Sequence, residues 1–389
     1  MTIKQKHMLN LNFFFIIYLF INIIACSGDK KEVTKQPDIK KDSDGKYSIK
    51  VEPFVERLYV PWSIVFTGPD RMLVNERNGH MRVIQNGTLR HAPILTLTDV
   101  STGSEEGLMG LAVDPDYLSN KFIYISYAYE TDGDLYVKIE RYRDDGNTVS
   151  KDITLFDKLP AAQNHAGCRL RFGPDKKLYI TIGDATDREF AQDMKMLHGK
   201  LLRVNPDGSV PSDNPFPNSP IWTLGHRNSQ GIDWYPGTEI LYSTEHGPSG
   251  FDGPGGGDEV NIIVKGKNYG WPEVHHRAHK EGMVDPVLEF TPAEAPASGM
   301  FYHSNVIPEF TNNFFFGCLR GEGIIRVIID PNDPTKVLSF EKMPEIDFGR
   351  IREITEGPDG AIYFSTSNRD GRGDAKSGDD KIYRITNSK

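Results

Sequence analysis

The sequence is short of cysteine, with three in 389 residues, at positions 26, 168 and 318. That is too few for a disulfide-built scaffold, and the spacing is not that of a thiolate metal site. Cys168 and Cys318 read as small, partly buried thiols whose pairing the sequence leaves open. Positive charge is also in deficit. The chain has 45 Lys and Arg against 54 Asp and Glu, a formal charge of −9. Such an acidic chain is a poor general nucleic-acid binder, and no nucleic-acid partner is expected, although a local arginine pocket for an anionic ligand is compatible with it. Long apolar runs are absent except for residues 11–25. That run of about 15 residues is short for a bilayer-spanning helix, and a multi-span membrane protein is excluded. Helical periodicity is scarce too. After the N-terminus, only REFAQDMKMLHGKLLRV at 188–204 has the pattern of a short helical turn.

What is present begins with an export signature. Lys4, Lys6 and His7 precede the apolar run, and Ile23-Ile24-Ala25-Cys26 follows it, resembling a bacterial lipobox with a small residue before the cysteine that takes the lipid. The reading is a lipoprotein signal peptide at 1–25 and a lipidated Cys26, with the chain anchored to the cell envelope and facing the periplasm. Ser27 after the cysteine favours the outer membrane. Loss of residues 1–25 with Lys4 and Lys6 takes the formal charge from −9 to −11. Residues 26–47, almost free of apolar side chains, form a flexible tether, and the folded body spans 48–389.

The body repeats one pattern: an apolar strand, a Pro-Asp or Pro-Gly turn, and a second strand rich in Tyr, Ile and Phe. The copies are SIVFTGPDRMLVNE, LAVDPDYLSNKFIYISY, LRFGPDKKLYITIGD, GIDWYPGTEILYSTEHG, SNVIPEFTNNFFFG and EITEGPDGAIYFSTS, and the fifth departs furthest from the pattern. Their turn prolines, at 69, 115, 174, 236, 308 and 358, recur every 46 to 72 residues. Such hairpins at such a period predict an all-β fold, a six-bladed β-propeller. The stretches 141–165 and 248–300 are expected to be loops or extra hairpins on one face.

Four stations carry chemistry. His165, in NHAGCRL, stands before the third repeat, where an innermost strand enters the axis, and an imidazole there can act as a general base. Arg227, in LGHRNSQG, can polarise an oxygen on which charge develops. EHGP (from Glu245) and GDEVN (from Gly257) offer carboxylates and free carbonyls suited to Ca²⁺, without EF-hand spacing. Arg320, Arg350 and Arg352 stand beside the last two repeats. Arg350 and Arg352 share a strand face, where two like charges call for an anion between them.

Taken in order, VPWSIVF, EEGLMGLAVDPDY, NHAGCRL, GKLLRVNPDG, LGHRNSQG, EHGP, GDEVNIIVKGKNYGWP and GRIREITEGPDG resemble the PQQ-dependent sugar dehydrogenases, the glucose/sorbosone and aldose quinoprotein family of six-bladed propellers. The resemblance runs from about Val60 to the C-terminus. It implies PQQ and Ca²⁺ as cofactors, an aldose as substrate, and an electron acceptor outside the chain that the sequence does not identify. It makes His165 the base for the sugar hydroxyl and Asp184 the acid that orients it, with Arg227 over the quinone oxygen and Asn228 beside it. Arg320, Arg350 and Arg352 would hold the cofactor carboxylates, and Glu105 would lie near the substrate. Backbone oxygens of Gly247 and Pro248 would ligate one calcium, and Glu259 with the backbone of Tyr269 would ligate a second. Three features depart from the family. Cys168 is larger than the usual neighbour of the base, Arg320 replaces a lysine, and the loop PSGFDGPGGG at 248–257 is longer and richer in glycine. Two other readings stay open on the residues alone: a calcium-dependent lactonase-type hydrolase, and a non-catalytic carbohydrate- or protein-binding propeller.

Overall fold

The computed structural model describes residues 47–388. The expected signal peptide (1–25), the lipid-bearing Cys26 and the tether as far as residue 46 lie outside the described residues. Six antiparallel sheets are arranged as blades. Each begins at the axis with a short strand: Pro61–Gly68, Leu108–Val113, Leu170–Phe172, Ser229–Trp234, Pro296–Phe301 and Ile351–Glu356. Neighbouring innermost strands pack against one another and the last packs on the first, except that Ser229–Trp234 meets the third blade chiefly through Leu178–Ile182. The second strands are Arg71–Glu76, Phe122–Thr131, Leu178–Ile182, Leu241–Glu245, Phe314–Cys318 and Ile362–Thr366.

Burial follows the distance from the axis. LYITI (Leu178–Ile182) and FFFGC (Phe314–Cys318) are buried on both faces, because each blade is covered by a neighbour on either side. Their β-branched and aromatic residues fit that pleated, dry environment. Trp62, Tyr124, Ile180 and Leu202 share one interblade cluster, at roughly 25 cal/mol per Å² of apolar surface removed from water. Outer strands such as Asp333–Lys342 are mostly exposed and charged, which blunts their free edges. The crowded axis explains Gly231: a Cβ there would lie 2.4 Å from the Gly299 nitrogen on the next blade.

The ring is closed by a pairing that no local pattern announces. Strand Ile49–Val55, from the start of the body, pairs with Ile382–Asn387 and becomes the outer strand of the last blade. Tyr47, at the end of the expected tether, is already buried and meets Phe310 edge to face at 5.1 Å.

Three expectations are corrected. Residues 141–165 are mainly blade, because Asp134–Asp144 and Val149–Pro160 are the outer two strands of the second sheet, and 248–300 likewise contains Asp258–Ile263, Leu288–Phe290 and Pro296–Phe301. The fifth repeat copy starts after its innermost strand, since Pro308 opens a 3-10 turn and PASGMF at Pro296–Phe301 is the strand itself. Cys168 and Cys318 are free thiols, fully buried rather than partly so. Cys168 sits in the core cluster with its thiol pushed up to about 12 by burial, so it neither lines the site nor offers a reactive thiolate.

Candidate active site

The loops that enter the innermost strands, and those that join second to third strands, meet at one end of the axis. They enclose a cavity of about 430 Å³ lined by Glu105, His165, Gly247, Pro248, Arg320, Arg350 and Arg352, among others. Seven of the residues read from the sequence are therefore gathered in one place. A buried polar layer crosses between the innermost strands: Arg169 donates to Glu353 and to Ser63 (2.8 Å), and Ser298 donates to Glu353 (2.6 Å).

His165 is buried at the edge of this cavity, and its backbone is in the left-handed region at φ 58°. A non-glycine residue there costs on the order of 1 kcal/mol. The conformation is held by the His165 N–H donating to Glu105 at 3.0 Å, and by Gly183, whose missing Cβ would fall 2.0 Å from the His165 carbonyl oxygen. Gly183 therefore lets Asp184 lie directly beneath the imidazole. Asp184 accepts from His165 Nδ1 at 2.7 Å and from the Thr186 N–H at 2.8 Å, while its second oxygen accepts from Trp271 Nε1 at 2.7 Å. A fully buried carboxylate with three donors fixes the ring and its tautomer, with the proton on Nδ1 and Nε2 left as an acceptor.

Arg350 and Arg352 face the cavity together, as their spacing predicted. The like-charge problem is solved in part within the chain, because Asp370 accepts from Arg350 Nε (2.8 Å) and from its second terminal nitrogen (2.7 Å). Arg352 has less support. It donates to Gln230 at 3.1 Å, its Nε is buried without a partner, and its pKa is pulled down to about 9 by burial and by Arg350, against the attraction of Asp370. Arg320 is exposed on the cavity wall. Arg372, which the sequence reading missed, also lines the cavity and donates to Glu105 at 2.9 Å. Burial works against ionisation of Glu105. Against it, the charge of His246, then that of His165, the His165 N–H and Arg372 hold the Glu105 carboxyl below its usual range, at about 2.

Arg227 stands elsewhere. Glu245, the ladder partner of Ser229, accepts from the Arg227 N–H, from His226 (2.8 Å) and from Ser229 (2.9 Å), which pins the HRNS segment. The Arg227 guanidinium lies behind the 248–257 loop. Its Nε donates to Asp252 at 2.7 Å, and its terminal nitrogens donate to Ser249 (3.0 Å) and to the His246 carbonyl (3.3 Å). It lines a small adjoining cavity with Glu245, Glu259, Tyr269 and Trp271, and His246, Gly247 and Pro248 border both cavities. His165 and Arg227, which the resemblance sets at one cofactor, thus border two adjoining cavities, with Asp252 holding the guanidinium. Asn228 is buried beneath both, donating to Glu105 at 3.4 Å. All four residues read as calcium ligands border the small cavity, where the Glu259 carboxyl is pushed well up by burial and by Glu245 and Asp258, opposed by the Asn261 amide.

The chain resembles known proteins in sequence and in fold. The glucose/sorbosone dehydrogenase family model matches residues 58–383. The aldose sugar dehydrogenase YliI of Escherichia coli is 32% identical over 349 residues, 83% of this chain and 91% of that protein. The quinoprotein glucose dehydrogenase B of Acinetobacter calcoaceticus is 38% identical over 44% of this chain and 40% of its own length. The PQQ-bound aldose sugar dehydrogenase of Streptomyces coelicolor superposes with a TM-score of 0.76 at 32% identity, covering 87% of this chain and 97% of that one. The chain belongs to the glucose/sorbosone dehydrogenase family of quinoprotein sugar dehydrogenases, which makes it an oxidoreductase.

Proposed function

We propose that this protein oxidises an aldose at C1 to its lactone with PQQ and Ca²⁺, His165 acting as the general base. The observation that carries the reading is the His165–Asp184–Trp271 chain, set at the edge of a cavity walled by arginines. Because Nδ1 is committed to Asp184, Nε2 takes the proton of the C1 hydroxyl, and Asp184 stabilises the imidazolium that forms. Glu105, ionised and anchored by Arg372, accepts from a sugar hydroxyl beside the base.

The wall fits a flat tricarboxylate. Arg320, Arg350 and Arg352 would hold its carboxylates, and the unpartnered Nε of Arg352 supplies a donor that the chain itself leaves unused. Bound PQQ would supply the two-electron sink for the hydride. Arg227 needs its remaining donors turned toward the larger cavity to neutralise charge at the quinone, with Asn228 supporting it. Carbonyl oxygens of Gly247 and Pro248, between the two cavities, would hold one Ca²⁺. Glu259 and the Tyr269 backbone would hold another, whose charge offsets the strain on the buried Glu259. Ca²⁺ supplies Lewis acidity. The electrons leave to an acceptor outside the chain. The envelope location, with export and a lipid on Cys26, belongs to the same proposal and rests on residues 1–26.

The test is reconstitution. Apoprotein with PQQ and Ca²⁺ reduces a redox dye when given an aldose, and His165→Ala abolishes turnover while retaining PQQ. Failure of the wild type with every aldose overturns the function, and full activity of His165→Ala overturns the role of the base.

A further inference from the structure

The 248–257 loop touches both chemical centres of the site. Phe251, at its tip, lines the larger cavity, and its ring lies 6.0 Å from that of His165 at an interplanar angle of 23°. The next residue, Asp252, grips Arg227 at 2.7 Å, and Ser249 closes the turn by donating its N–H to Asp252 (2.9 Å) and accepting from Arg227 (3.0 Å). Arg188 holds the Asp252 carbonyl from outside at 3.0 Å. The loop is therefore moored at its acidic residue, and the mooring sets the position of the aromatic one.

Phe251 makes little sense as a packing residue. It is 67% exposed and belongs to none of the hydrophobic clusters of the core. A large apolar ring left in water at the mouth of a polar cavity is a feature that binding explains and folding does not. The molecule received beside His165 has matching chemistry. A pyranose carries hydroxyls on its rim and C–H bonds on its faces, and weakly positive C–H groups lie well on the negative face of an aromatic ring.

We infer that Phe251 is a specificity-determining residue for the sugar: an aromatic platform that takes the C–H face of the ring presented to His165, held in place by the Asp252–Arg227 ion pair. The inference rests on the aldose-oxidising function proposed above and adds the residue that selects the substrate's shape. Substrates with a flat, C–H-rich face gain from the platform, and those whose hydroxyls project from that face lose it.

The test is steady-state kinetics of the PQQ- and Ca²⁺-loaded enzyme with the aldose that the wild type oxidises best, alongside a PQQ titration of each variant. Phe251→Ala raises KM about tenfold, the order expected for a lost aromatic contact, and leaves kcat within about threefold. Phe251→Trp restores KM to near the wild-type value. Asp252→Asn, which loosens the mooring, raises KM by a smaller factor than Phe251→Ala. PQQ stoichiometry is unchanged in Phe251→Ala. An unchanged KM in Phe251→Ala overturns the inference. A lower KM also overturns it, by making the ring an obstruction, and so does a loss confined to kcat, by making it an adjunct of the base. A wild type that binds PQQ but oxidises no aldose removes the underlying function instead, a result distinct from all of these.

Discussion

Asp184→Asn removes one charge and leaves the shape of the site intact, which makes it the sharpest probe of the proposed base. In the native protein one Asp184 oxygen accepts from His165 and from Thr186, and the other accepts from Trp271. An asparagine has one acceptor oxygen. If it faces His165, the amide nitrogen points at the Trp271 N–H, donor against donor. If it faces Trp271, it donates to Nδ1 and forces the imidazole proton onto Nε2, the atom required to accept from the sugar. Either outcome costs a buried hydrogen bond of about 1–3 kcal/mol, and the second also removes the base. The imidazolium loses its counter-charge as well, so kcat is expected to fall by about 10²–10⁴. Trp271→Phe removes one donor and leaves the carboxylate, so roughly a tenfold loss is expected. PQQ affinity, read by titrating the quinone absorbance, changes by less than about threefold in Asp184→Asn, because that side chain lines neither cavity. Stopped-flow measurement of quinone reduction at saturating aldose isolates the chemical step. An Asp184→Asn enzyme that keeps more than about a tenth of wild-type kcat refutes the reasoning.

Three further outcomes follow from the geometry. Arg352→Met weakens PQQ binding by about 10- to 100-fold, yet leaves the apoprotein melting temperature equal to or above that of the wild type, because the buried guanidinium has an unpartnered Nε. A clear fall in apoprotein stability contradicts this. Glu259→Gln reduces the rise in melting temperature produced by Ca²⁺ to the part contributed by the Gly247–Pro248 site, and an unchanged Ca²⁺ response removes Glu259 from the ligand set. Asp380 is pushed up to about 6 by burial, against the backbone donors of Val60, Asn368 and Arg369. Its folded pKa lies above its unfolded one, so the native state binds the proton more tightly and this group's contribution to stability falls as pH rises through about 4 to 6. The stability of the wild type relative to Asp380→Asn therefore declines by about 2 kcal/mol between pH 4 and 7. A constant difference across that range contradicts the assignment.

Much of the fold could be read because turn chemistry is local. Each Pro-Asp or Pro-Gly corner joins an innermost strand to the second strand of its blade, so five of the six copies mark their blades directly. The fifth innermost strand, PASGMF, escaped because its small residues read as a turn while being buried against the axis. Val149–Pro160 escaped because its exposed charges hide the alternation on an outer edge. Closure by Ile49–Val55 joins opposite ends of the chain, and no periodicity reports such a pairing. The site divides in the same way. His165, Asp184, Glu105, Arg350 and Arg352 flank strands whose positions the repeat supplies. Trp271, Arg372, Phe251 and Asp252 come from long loops, and only the folded ring brings them to the axis. Glycine and proline in 248–257 signalled an irregular loop without showing that its acidic residue would take Arg227.

The central claim is that one axial cavity loads PQQ and delivers to it the hydride of a sugar whose proton goes to His165. Its most direct test follows the quinone spectrum while apoprotein is titrated with PQQ, with and without Ca²⁺, before an aldose is added anaerobically. The account predicts loading of one PQQ per chain that Ca²⁺ strengthens, and then bleaching of the oxidised quinone by the aldose in the wild type but not in His165→Ala. Tight loading followed by a spectrum that no aldose changes would contradict it.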